Sequence, residues 1–339
     1  VYALPLYYPL ANVEVRVSKQ FSHKYAQLKY ITAIIFLFFY VFSIHAQPRI
    51  PTYFHQNKSF TDSLAKIIKQ VGLDSTWDAG EDGMEQISFA VIDLNNKTPF
   101  LGCVNCTNFV YPASVYKMYV AMEILRQVSN GDYSLSKQYI VKSPNDVDKS
   151  KEISYDPRPL LRAGDTVTVN YLLDLMITRS DNAAANCMID IATRDSINAT
   201  IHKMGWFGSE VTRKFLSRKL EDQGYDTVKS TETCALHAAD FMYKIYSNKL
   251  INPWVSMQMK ALLGRQLDTT KLSLGLPRNA MYFHKTGWWS IYTNDVGIVE
   301  DSRIKYIIAI FTPVTEEKVT ARLKELSRRV YNLINELHR

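Results

Sequence analysis

The sequence predicts an α/β (α+β) fold: a five-stranded antiparallel sheet flanked by helices, with an all-α domain inserted into it. Three observations carry this expectation. A helix and two strands precede Leu101, helical patterns dominate from Ser114 to about Leu263, and three strands and a helix close the chain. Sheet-forming segments at both ends, separated by a helical middle, describe one sheet completed from both ends of the chain. The expected division is a leader over 1–46, a sheet domain from 47–113 and 276–339, and a helical domain over 114–275. A length of 339 residues suits it, since domains commonly run to about 150 residues.

In chain order, the first feature is the largely apolar run Tyr30–Ile44, preceded by Lys19, Lys24 and Lys29 and followed by the small residue Ala46. It is short of the roughly 20 residues a bilayer span needs. A basic segment, a short apolar core and a small residue predict a secretory signal peptide cleaved near Ala46. The protein is then exported, periplasmic or secreted; uncleaved, the same run is a membrane anchor. Ser59–Val71 places Phe60, Leu64, Ile67 and Ile68 on one helical face, and Gly72 ends it. Gln86–Asp93 reads as a strand through Ile87, Phe89 and Val91, with Asn95-Asn96 turning into a second strand around Thr98–Leu101. Helical runs follow at Ser114–Leu125, Val169–Thr178 and Ala183–Ala192. Strands Met281–Trp289, Thr293–Val299 and Ile304–Phe311 then lead into an amphipathic helix, Glu316–Leu337.

Composition excludes several classes. Apolar residues at 47%, charged residues at 22%, and only 13 Gly and 12 Pro rule out collagen-like and low-complexity chains. Four cysteines are too few for a disulfide-built scaffold. Export makes Cys103, Cys106, Cys187 and Cys234 possible disulfide partners; Cys103-Val-Asn-Cys106 has no second ligand pair at zinc spacing, which leaves packing or a local disulfide. The net charge of +7 invites a nucleic-acid or membrane partner. Arg16, Lys19, Lys24 and Lys29 against Glu14 place +3 of it in the leader, so no nucleic-acid partner is needed; no stable protein partner is expected either. The seven histidines are scattered and form no His-Glu-x-x-His, and neither a nucleotide-binding glycine loop nor Gly-x-Ser-x-Gly occurs. No cofactor and no metal are expected.

Three short motifs could carry chemistry. Ser114-Val-Tyr-Lys117 opens a helix, where a spacing of three puts the amine on the hydroxyl's face and the first-turn N–H groups can steady an oxyanion. Alone it is weak, because Ser63/Lys66, Ser134/Lys137 and Ser302/Lys305 share the spacing. Ser180-Asp-Asn182 falls between two helical runs, so a loop can present a hydroxyl and an amide. Lys285-Thr-Gly287 lies in the first strand after the helical region, followed by Trp288-Trp289. By strand alternation His284 points to the opposite face from Lys285 and is read as a packed residue. The tryptophan pair is read as core or cleft-wall packing.

With these three motifs in this order, the chain resembles the penicillin-recognising serine hydrolases, and most closely the class A β-lactamase group of the β-lactamase/transpeptidase-like family. The resemblance implies that Ser114 is acylated, that Lys117 is a general base and that Ser180 relays a proton to the leaving nitrogen. It implies that Asn182 holds the substrate's amide side chain, that Lys285 and Thr286 bind its carboxylate, and that Gly287 lets substrate backbone approach. The N–H groups of Ser114 and Trp288 would form the oxyanion hole. One departure stands out: the family's Glu-x-x-Leu-Asn, whose Glu activates the deacylating water, is absent between Asn182 and Lys285. Glu221 and Asp222 are displaced from its place; Glu221 is a candidate base by a different loop path, or else a solvated loop charge. Thr293-Asn-Asp295 also lacks the basic residue that some relatives carry there. The expected function is an exported monomeric serine hydrolase opening β-lactam amides through acyl-Ser114. The alternatives are a D-alanyl-D-alanine peptidase of cell-wall peptide and a β-lactam or muropeptide sensor that acylates without turnover.

Overall fold

A computed structural model describes residues 48–80, 83–221 and 229–339. The leader expected over 1–46 and Asp222 lie outside the described residues.

The main sheet is built from β1 (His55–Gln56), β2 (Ser88–Asp93), β3 (Phe100–Val104), β4 (Met281–Trp289), β5 (Tyr292–Glu300) and β6 (Lys305–Thr312). Its spatial order is β1-β3-β2-β6-β5-β4. The five expected strands pair antiparallel, and β4 forms an outer edge. The sixth strand is an addition to the expectation: β1 pairs parallel with β3 through His55–Phe100 and Gln56–Leu101 only. Two residues are too few to show a period, so the sequence carries no trace of it.

Alternation along the strands separates two apolar layers. Phe89 and Val91 of β2, with Ile308 and Ile310 of β6, pack with helix α1 (Lys58–Gln70) and the C-terminal helix Glu316–Leu337. Asn57 starts α1 by accepting a hydrogen bond from Phe60 N, and Phe60, Leu64, Ile67 and Ile68 form its buried stripe. Ala90 and Ile92, with Ile307 and Ala309, face the other way and share a core with helices α2 (Lys117–Ser129), α3 (Asn182–Ala192) and α4 (Ala235–Tyr246). Each fully buried Leu, Ile or Phe contributes about 1.5–3 kcal/mol of transfer free energy. Residues 48–339 form one compact unit.

The middle of the chain is less helical than its patterns suggest. Residues 141–165 are turns and bends, closed at the stem by the pairing of Gln138–Ile140 with Thr166–Thr168. Pro144, Pro157 and Pro159 supply no N–H to a helix, and Gly164 turns the chain at φ +95°. A second irregular segment runs from Gly205 to Ser217. Both border the cleft described below. Cys103 and Cys106 form a local disulfide, while Cys187 and Cys234 are buried free thiols.

Candidate active site

The turn that carries Ser114 is held against an edge of the sheet. Ala113–Tyr116 form a short 3-10 turn that runs straight into α2, with Ala113 in the left-handed region at φ +46°. An alanine there costs about 1–3 kcal/mol, so surrounding contacts must hold it. Gly287 of β4 supplies one. A Cβ at this position would lie 2.6 Å from Pro112 O and 2.9 Å from the backbone nitrogens of Ser114 and Val115. The close approach at Gly287 is therefore made by the turn that carries Ser114. Asn294 of β5 supplies another, donating to Tyr111 O at 3.1 Å and accepting from Thr312 N at 3.1 Å.

Lys117, first residue of α2, is fully buried. Its ammonium donates to Asn182 Oδ1 at 2.9 Å, to Ser180 Oγ at 3.3 Å and to the Ser180 carbonyl. The other three lysines at the same spacing, Lys66, Lys137 and Lys305, are exposed. Burial, which the sequence pattern does not carry, separates the one functional candidate from its look-alikes.

Ser180 ends a π-helical turn, Leu175–Arg179, in the left-handed region at φ +64°. Asp181 then caps α3 by accepting from Ala184 N at 2.7 Å. Beneath this loop, Arg179 is fully buried, bonded to Asp181 Oδ2 at 2.6 Å and to the carbonyls of Arg158 and Pro159 at 2.7 and 3.0 Å. A buried guanidinium with this many partners fixes the loop's path. Asn182 is tied to Asp148, which accepts from its backbone N–H at 2.9 Å and its amide at 3.1 Å.

From the opposite wall, Lys285 donates to the same Ser180 Oγ at 2.9 Å and to Thr286 O at 2.8 Å. The Ser180 hydroxyl thus lies between two buried amines. Burial pushes the Lys117 amine down to about 8, against the opposing pull of Glu152, Asp148 and Asp181. Burial, reinforced by the neighbouring Lys117 charge, pushes Lys285 down to about 7. Burial thus disfavours charge on both amines, and a charge on Lys117 disfavours one on Lys285.

Of the eight sequence-predicted residues, Lys117 and Lys285 are buried and bonded to Ser180, Thr286 O accepts from Lys285, and Gly287 packs against the Ser114 turn. Ser114, Ser180, Asn182 and Trp288 line a recess of about 260 Å³, which adjoins a wider cleft of about 1060 Å³ bordered by Tyr116, Asn182, Phe215 and Trp289. Trp288 and Trp289 are 42% and 61% exposed, so they are cleft wall and not core. His284 is buried as expected, stacked on Tyr282 and 3.0 Å from Asp295. Among the described residues, no three His, Cys, Asp or Glu side chains are grouped as metal ligands.

Glu221 stands apart. Its carboxylate accepts from Lys214 N and lies 3.8 Å from Arg194, and it lines neither recess. What the loop offers to Lys117 is Phe215, whose ring centroid is 4.3 Å from the ammonium and stacked on Tyr116. Asn186 of α3 clamps this residue from both sides, accepting from Phe215 N at 2.7 Å and donating to Phe215 O at 3.3 Å. Sequence reasoning missed both. The one available hint was a lone amide in the buried run Ala-Ala-Ala-Asn-Cys, which needs a partner.

A six-strand sheet covered by helices on both faces, with a buried Ser-x-x-Lys facing a Ser-x-Asn loop and a Lys-Thr-Gly edge strand, defines a protein of the penicillin-recognising fold. The model of the β-lactamase enzyme family matches residues 63–334, and the chain belongs to that family. Among curated proteins it is similar to the extended-spectrum β-lactamase PER-1 of Pseudomonas aeruginosa, 27% identical over 222 residues that cover 60% of this chain and 68% of the relative. Among solved structures it is similar in fold to a mutant of PBP-A in an acyl-enzyme complex with penicillin-G (TM-score 0.68, 17% identity, 83% of this chain and 98% of that one). A class A β-lactamase from Bacteroides cellulosilyticus gives a TM-score of 0.66 at 19% identity, covering 83% of this chain and all of the other.

Proposed function

We propose that the protein is an exported serine hydrolase that opens β-lactam amides through an acyl-Ser114 intermediate and releases the acyl group slowly. The observation that carries this reading is the convergence of two buried amines, Lys117 and Lys285, on the Ser180 hydroxyl beside Ser114.

A substrate carboxylate docked at Lys285 and Thr286 favours a charged Lys285, which leaves Lys117 as the neutral amine. Lys117 Nζ takes the Ser114 hydroxyl proton as Oγ bonds to the lactam carbonyl carbon. The carbonyl oxygen becomes an oxyanion facing the Ser114 and Trp288 N–H groups. The C–N bond then breaks. Ser180 gives its proton to the leaving nitrogen and takes one from Lys117 across the 3.3 Å contact, so the base returns to neutral. The product is an ester at Ser114. Hydrolysis of that ester needs a base for water, and a positioned base is worth about 10²–10⁴ in rate. Phe215 stands on Lys117 where a carboxylate would have to act, so this second half lacks that aid.

Family membership and the fold shared with a penicillin acyl-enzyme support the β-lactam reading. The Cys103–Cys106 disulfide supports export to an oxidising space. The placement of Phe215 favours a second reading, a D-alanyl-D-alanine peptidase blocked by β-lactams. Mixing the purified protein with a chromogenic cephalosporin tests both. A burst of one product per molecule followed by slow steady turnover is expected; a burst with no further turnover supports the peptidase or a sensor. No burst, or a burst undiminished in Ser114→Ala, would remove the assignment.

A further inference from the structure

The end of α4 and the chain just ahead of α1 form a surface with a one-sided charge balance. Residues 241–267 hold Lys244, Lys249, Lys260 and Arg265 and no Asp or Glu. Lys260 pairs with Glu300 at 2.8 Å and Arg265 with Asp174 at 2.6 Å, which leaves Lys244 and Lys249 to charge the end of α4. Asp240, one turn before Lys244 and 3.9 Å from its ammonium, is buried and committed, accepting from the Tyr53 hydroxyl at 2.5 Å and the Trp206 indole at 2.7 Å. The negative end of the helix is capped as well: Lys244 O accepts from Lys249 N at 2.7 Å and from Leu250 N at 3.0 Å. Aromatic rings stand among the cations. Tyr53 is 38% exposed, stacks on Tyr243 with centroids 5.4 Å apart, and lies 5.3 Å beneath the Lys244 ammonium. Tyr246 is half-buried one turn further on, and Arg49 and Lys249 are exposed.

We infer that this face docks the protein on an anionic phospholipid surface. Tyrosine rings and cations side by side suit the headgroup region: the rings sit at the boundary between water and lipid, and each cation is drawn to the negative surface. The sequence points the same way. The apolar run Tyr30–Ile44 ends three residues before Pro48, and Pro48–Tyr53 leads onto this face, so the leader joins the compact unit where the cations and rings gather. The cleft stays open in this arrangement. His55 pairs with Phe100, Phe100 with Asp93 and Asp93 with Tyr306, which places Tyr53 toward the end of the sheet where Glu300 pairs with Met281. Gly287 and the Ser114 turn lie toward the other end. Docking does not depend on the acyl-Ser114 reading.

Sedimentation with vesicles tests it, using phosphatidylglycerol and phosphatidylcholine in equal parts against phosphatidylcholine alone. Residues 48–339 serve, a compact unit that keeps both apolar cores and leaves out the apolar run of the leader. Binding is expected on the anionic vesicles and is expected to fade as salt is raised, because the attraction is screened. Each cation near such a surface strengthens partitioning about five-fold, so Arg49→Gln/Lys249→Gln is expected to weaken it about 30-fold. Both side chains are exposed, and the fold does not depend on them. Lys66→Gln/Lys69→Gln removes the same charge from exposed positions of α1, on the other face of the sheet, and is expected to weaken binding less than about three-fold. No sedimentation with the anionic vesicles, or equal sedimentation with both kinds, overturns the inference. So does a loss in Arg49→Gln/Lys249→Gln no larger than the loss in the α1 variant.

Discussion

The two walls of the cleft are built differently. On the side proposed to acylate, the groups stand on regular elements or at their ends: Ser114 lies in the 3-10 turn that leads into α2, Lys117 opens α2, Ser180 joins a π turn to α3, Asn182 opens α3, and Lys285 lies in β4. On the facing side the Gly205–Ser217 segment has no regular element, and it presents Phe215 to Lys117. The difference teaches that the two halves of an acyl-transfer cycle can be furnished independently. Activating a nucleophile needs groups fixed to within a fraction of an ångström, which helices and strands provide. On the proposed mechanism, placing a water and its base would fall to this one loop, where Phe215 lies against Lys117.

The strongest way to break the comparison is to remove the nucleophile. Ser114→Ala is expected to lower acylation by benzylpenicillin at least about 10⁴-fold, read as loss of the covalent mass adduct. Next is the loop. Phe215→Glu puts a carboxylate beside Lys117 and is expected to speed deacylation about 10²-fold or more, read in the steady-state phase after the burst. If deacylation does not change while the variant still acylates, the loop is not what limits the second half. Gly287→Ala drives a Cβ into Pro112 O and the Ser114 nitrogen, and displacement of the turn is expected to cost about 10²-fold in acylation.

How much of this was legible beforehand follows the same line. The C-terminal helix was expected at Glu316–Leu337 and is found there, because Val319, Leu323, Leu326, Val330 and Ile334 keep helical spacing on one buried face. Strand β4 was also expected with its observed limits. The three motifs were legible because the spacing of three in Ser114–Lys117 and the strand position of Lys285 survive translation into geometry. The parallel pairing of β1 was not, having two residues and no period. Neither were Phe215 and Asn186, whose meeting depends on how an irregular loop returns over 29 positions of chain. Glu221 was the carboxylate visible in the sequence nearby, but Lys214 and Arg194 hold it outside both recesses.

Two smaller effects sharpen the comparison. Lys117 must be neutral to accept the Ser114 proton, and burial pushes it down to about 8. Docking the substrate carboxylate also needs Lys285 charged, and burial pushes that amine down to about 7, so acylation is expected to pass through a maximum between about pH 7 and 8 and to fall on either side, read as the second-order constant against pH. A flat profile would assign the proton to another group. Glu221→Gln is expected to change deacylation less than about two-fold, since the carboxylate is held by Lys214 N and Arg194 and lines neither recess. A large slowing would return Glu221 to the mechanism.

The central claim is an acyl-Ser114 ester that forms readily and hydrolyses slowly. Intact-mass measurement of the protein at intervals after mixing with benzylpenicillin tests it most directly. The account predicts one penicilloyl adduct per molecule, mapped to the peptide containing Ser114, that persists long after free drug is removed and disappears faster in Phe215→Glu. An adduct on another residue, or rapid multiple turnover by the unaltered protein with no accumulated adduct, would contradict it.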